Sequence, residues 1–65
     1  MSSLTRMFAV LDLLEQEARA LDADAICAAL DYSRPTGYRY IAELVRAGLL
    51  ARVGAGAYGL GPRII

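Results

Sequence analysis

Two helical patterns in this chain are separated by only Asp31-Tyr32. Helix-turn-helix units join their helices through turns of about this size, so the pair must pack against each other at an angle. The first pattern spans Ala23–Leu30, with Ile26, Ala29 and Leu30 inward and Cys27 at its edge. Asp22 is its N-cap, and Asp24 in the first turn suits the helix dipole. Asp31 tolerates the left-handed backbone that such a turn often needs. Ser33 caps the next helix, and Pro35 falls in its first turn, where a missing N–H costs nothing. Along that helix Gly37, Ile41, Leu44, Val45 and Gly48 share one side, and Arg39, Ala42, Glu43 and Arg46 the other. Gly48 is a natural C′ residue and ends it.

An earlier helix spans 4–18, with Ser3 as its N-cap. Leu4, Met7, Phe8, Leu11, Leu14 and Ala18 recur at spacings of three and four and form its inward face. Val10 and Leu13 lie off that face as a second apolar strip. Arg19-Ala20-Leu21 break the pattern. After Gly48, residues 49–53 and 57–60 read as two strands joined by Gly54-Ala55-Gly56, a β-hairpin. The fold class expected is therefore mostly α with a small β-hairpin, a three-helix winged helix-turn-helix with a two-stranded wing. Tyr32 is expected to plug the core at the turn.

Composition removes whole classes of function. The chain has 65 residues, one cysteine and no histidine. It is one domain at most, without a disulfide framework, a cysteine-based zinc site or an imidazole catalyst. No catalytic constellation is present, so an enzyme is not expected, nor any cofactor. No apolar run approaches the roughly 18 residues of a membrane span. The N-terminus lacks a basic n-region, and a cytoplasmic, soluble protein is expected. Cys27 reads as a small buried hydrophobe.

The formal net charge of zero hides an asymmetry. Residues 1–32 carry six acids and two arginines, a net of −4; residues 33–65 carry five arginines and one acid, a net of +4. Such a split suggests a nucleic-acid or membrane partner for the basic half. It is equally compatible with two halves that attract each other. Gly54-Ala55-Gly56-Ala57-Tyr58-Gly59 fits G-x-G-x-x-G, but the fingerprint needs a helix opening at its third glycine and an acid about 20 residues on. Gly61-Pro62 and the few residues after them supply neither, so the glycines are turn and packing residues.

In a winged helix-turn-helix the second helix of the pair lies in the major groove, its N-terminal residues at the base edges. Here that helix offers Arg34, Thr36, Arg39 and Arg46, with Tyr38 and Tyr40 on its flanks, each open to packing or to DNA contact. Arginine can pair bidentately with guanine, threonine can touch a thymine methyl, and tyrosine hydroxyls can reach phosphates. The alternative is a winged-helix protein–protein interaction or dimerisation module, since a fold does not set a function. What discriminates them is whether Arg34, Arg39 and Arg46 are free or tied to Asp22, Asp24 and Glu43.

The order of these segments resembles a known family. Residues Ser3 to Leu14 (SLTRMFAVLDLL) resemble the opening helix of IclR-type transcriptional regulators, and Thr36 to Leu44 (TGYRYIAEL) their recognition helix. Gly48-Leu49-Leu50 and Tyr58 to Arg63 (YGLGPR) resemble the wing and the exit into a linker helix. Asp31 stands where the family commonly has glycine. The resemblance implies an N-terminal DNA-binding domain over 1–61, with 62–65 starting a truncated linker helix. It implies a missing C-terminal domain that binds a small-molecule effector, and a homo-oligomeric intact regulator on a palindromic operator of double-stranded DNA. Carried over to this sequence, the DNA-binding residues are Arg34, Thr36, Tyr38, Arg39 and Arg46, with Arg52 and Arg6 as backbone contacts. Val10, Leu13 and the linker helix opened by Ile64-Ile65 are expected to supply the dimer contact; the alternative is that the wing and the second helix cover Val10 and Leu13 within one domain. Cut at Ile65, the chain is expected to be a monomer or weak dimer and a poor DNA binder alone.

Overall fold

The computed structural model describes residues 2–62; of the linker-helix start expected over 62–65, residues 63–65 lie outside them. Among the described residues, three helices and a three-stranded sheet follow in the order α1 (Ser3–Glu17), β1 (Leu21–Asp22), α2 (Ala23–Leu30), α3 (Arg34–Arg46), β2 (Leu50–Val53) and β3 (Ala57–Leu60). The three helices and the hairpin of the winged helix are present.

Local chemistry sets most of the boundaries. Asp22 Oδ1 accepts from the Ala25 amide at 2.7 Å, and Ser33 Oγ accepts from the Thr36 amide at 3.4 Å, so each caps the helix that follows. Asp31 takes the left-handed conformation at φ 59°, and Gly48 follows α3 at φ 82°. The first helix begins one residue earlier than expected. Its cap is Ser2, whose Oγ accepts from the Thr5 amide at 3.2 Å, and Ser3 is already helical.

The wing is larger than a hairpin. Residues 19–22 do not merely break a pattern: β1 pairs antiparallel with β3, Leu21 opposite Tyr58 and Asp22 opposite Ala57. The β2–β3 ladder sets Leu50 opposite Leu60 and Arg52 opposite Tyr58, so the sheet order is β1-β3-β2. A two-residue strand has no period of its own; the partner's backbone defines it.

The core consists of Val10, Leu14, Leu21, Ile26, Ile41, Leu44 and Leu50. This corrects the face assigned to α1. Val10 is wholly buried, whereas Leu4 and Phe8 are 57% and 48% exposed. Leu13 packs half-buried against the core, so the Val10–Leu13 strip is interior. The apolar residues of α1 form two overlapping stripes, and the elements packed against it choose between them. Ala29 is exposed rather than inward, and Cys27 is buried, as expected of a small hydrophobe. Tyr32 is half-buried at the turn and packs edge-on against the buried Tyr40 ring, 5.7 Å between centroids at 81°. Its hydroxyl donates to the Arg6 carbonyl at 3.0 Å, which ties the turn to α1.

The helix pair closes on a glycine. A Cβ placed on Gly37 would lie 2.2 Å from Cys27 Sγ. Gly37→Ala should therefore overpack the α2–α3 contact, at about 1–3 kcal/mol, against a helix-propensity gain of roughly 1 kcal/mol. The expected result is a lower urea midpoint for Gly37→Ala alone. In a Cys27→Ala background the same substitution should raise the midpoint, because the thiol it strikes is gone. Equal effects in both backgrounds would show that the Cys27 contact does not control the packing.

Candidate nucleic-acid interface

The site is built on α3, which the two caps and the Asp31 turn hold against α2. Gly37, Tyr40, Ile41 and Leu44 face the protein. That leaves Arg34, Tyr38, Arg39 and Arg46 exposed along the rest of the helix, with Thr36 half-buried. Tyr40 is thus a packing residue and not a flanking contact.

The exposed residues fall into two groups. Toward α2 and the wing, Tyr38, Arg46 and Arg52 edge an open groove of about 550 Å³ between α3 and the hairpin, floored by Ile41 and Val45. Tyr58 of β3 also lines it. Arg52 and Tyr58 are opposed across the β2–β3 ladder, so they project from the same face of the sheet. The sequence could have flagged Tyr58 only through that register.

Away from this groove, Arg39 and Arg6 share the surroundings of Tyr40. The Arg39 guanidinium lies 5.5 Å from the Tyr40 ring centroid. The nearby Arg6 side chain, and then Ser3, lower the Tyr40 phenol pKa. Arg6 is therefore brought beside α3 by the same aromatic pair that anchors the turn.

The three α3 arginines differ in their partners. Arg34 Nε lies 3.4 Å from Asp24 Oδ1, and Arg46 Nη1 lies 3.2 Å from Glu43 Oε1. Arg39 forms no ion pair among the described residues. Of the three ion pairs there, only Arg34–Asp24 joins the acidic half to the basic half. Mutual attraction between the halves thus accounts for little of the charge split. All the members are exposed, and exposed pairs contribute little and yield easily to other partners.

Asp24 is the residue that sequence inspection undervalued. Expected as a helix-dipole partner and a candidate tie for the α3 arginines, it does tie Arg34, and its Oδ1 also accepts from the Tyr38 hydroxyl at 2.6 Å. That hydrogen bond is the main reason the Tyr38 phenol pKa is raised. An acid in the first turn of α2 could be matched with the α3 arginines by charge, but nothing in the sequence says that Tyr38 arrives beside it as well.

Other chemistry is not assembled here. Burial raises the Cys27 thiol pKa, which makes it a poor nucleophile. Among the described residues, no cluster of three or more cysteine and acidic side chains could hold a metal ion. No described helix is long and apolar enough to cross a membrane.

Comparison with curated proteins gives no match. The family model described as the IclR helix-turn-helix domain matches residues 3–54, which takes in all three helices and β2. The chain belongs to the IclR helix-turn-helix family of DNA-binding regulatory domains.

Proposed function

We propose that this chain binds double-stranded DNA sequence-specifically, with α3 in the major groove, as the N-terminal domain of a transcriptional regulator. The observation that carries it is the exposed row Arg34, Tyr38, Arg39 and Arg46 on the helix that follows the Asp31 turn. Arg34, Thr36 and Arg39 read base edges, since the N-terminal part of a recognition helix is the part that reaches them. Tyr38 and Arg46 flank them, and Arg52 on the wing and Arg6 on α1 contact phosphates. The function is binding, not catalysis. The domain is 1–61, and 62–65 open a linker helix toward an effector-binding domain.

A palindromic operator needs two recognition helices about 34–36 Å apart, hence two copies of the domain. Their contact cannot use Val10, which is buried. We place it on Leu4 and Phe8, one helical turn apart and exposed on α1.

Selection of bound duplexes from a random library, carried out on the domain extended through the proposed linker helix, tests the function. The expected result is an enriched, two-fold symmetric sequence whose affinity falls steeply between about 50 and 200 mM salt, as phosphate contacts require. No enrichment, with affinity equal for all duplexes, would overturn sequence-specific recognition. No duplex binding at low salt would overturn the DNA function itself.

A further inference from the structure

We propose that Asp24 is a built-in restraint on DNA affinity: one carboxylate oxygen engages both Arg34 and Tyr38 at the leading end of α3, in competition with DNA. This rests on the DNA-binding function proposed above and assigns a residue that opposes it.

Two acids stand at the N-terminus of α2, and they have different tasks. Asp22 caps the helix through Oδ1 to the Ala25 amide at 2.7 Å. Asp24 lies two residues on, in the first turn, and its side-chain partners are both on α3. Its Oδ1 lies 3.4 Å from Arg34 Nε and accepts from the Tyr38 hydroxyl at 2.6 Å. The Arg34 and Asp24 side chains are 74% and 56% exposed, so the assembly sits on the surface that would meet DNA. The raised Tyr38 phenol pKa, caused first by this hydrogen bond, agrees with the geometry.

The carboxylate opposes DNA in two ways. It supplies Arg34 with an anion in place of a phosphate or a guanine edge. It also puts negative charge at the start of α2, where a helix N-terminus would otherwise favour a phosphate. The Arg46–Glu43 pair is a different case, because it is an i,i+3 contact within α3 at that helix's last turn. It leaves the base-reading end of the helix untouched.

The test is Asp24→Asn, which keeps an oxygen acceptor for Tyr38 and removes the charge. Its affinity for both the selected operator and a random duplex should rise about three- to tenfold, since an exposed pair and one charge repulsion are removed. The salt slope should steepen by about one phosphate contact. In an Arg34→Ala background the gain should shrink, because the cycle isolates the pair. Glu15→Gln, an exposed acid beside Val53 and Gly59 on the far side of the sheet, should change affinity less than twofold. In the free protein, Asp24→Ala should return the Tyr38 phenol toward its ordinary titration range. If the parent chain binds duplex and Asp24→Asn binds it with the same affinity and slope, the restraint is overturned while DNA binding stands. Equal gains from Asp24→Asn and Glu15→Gln would also overturn it, in favour of a general charge effect. If the parent chain binds no duplex, the DNA function fails and the restraint fails with it.

Discussion

Ile26→Ala is expected to leave a large share of this chain unfolded in water at 25 °C. Ile26 is wholly buried on α2 and belongs to the cluster of buried apolar side chains that joins α1, α2, α3 and the sheet. Removing a buried isoleucine side chain to the β-carbon costs about 2–5 kcal/mol, the transfer term plus the cavity left behind. A single core in a chain under about 70 residues rarely supplies more than about 3–5 kcal/mol in total. The two ranges overlap, so the mutation removes most of the stability. Ile26→Val removes one methylene and should cost only about 0.5–1.5 kcal/mol, leaving a cooperative transition. Urea melts followed by circular dichroism separate these outcomes. A cooperative Ile26→Ala melt with less than about 1 kcal/mol lost would mean that the site collapses onto its neighbours and that Ile26 is not central.

Arg39→Ala should do the reverse: preserve the fold and weaken recognition. The contact recorded for its guanidinium is with the Tyr40 ring at 5.5 Å, and an exposed cation–π contact is worth about 0.5–1 kcal/mol. Losing a bidentate arginine–guanine contact costs about 1–3 kcal/mol of discrimination. That is roughly a five- to 150-fold loss on the selected operator, with relaxed preference at one base position. Arg39→Lys should not restore it, because an ammonium lacks the planar fork. Arg52→Ala should behave differently, weakening all duplexes alike and reducing the salt slope by about one. Equal losses on operator and random DNA for Arg39→Ala would reassign Arg39 from bases to phosphates.

The locally determined parts of this protein were legible in the residues themselves. Asp22, Ser33 and Gly48 mark helix ends because a cap or a left-handed residue acts on backbone groups within one turn. The span of α2, the helix-turn-helix order and the β3 span follow from such signals together with apolar periodicity. So does the exposure of Arg34, Arg39 and Arg46, since α3 has a single clear apolar side.

What tertiary structure decided is everything that depends on a partner distant in sequence. β1 exists because β3 comes alongside it. Val10, and not Leu4 or Phe8, is buried because α1 carries more apolar positions than one face can hold, and packing selects among them. Tyr40 became interior through its contact with Tyr32. Asp24 acquired Arg34 and Tyr38 only when α2 and α3 folded together. A helical period records which side chains share a face; which surface that face meets is settled by the rest of the chain in three dimensions.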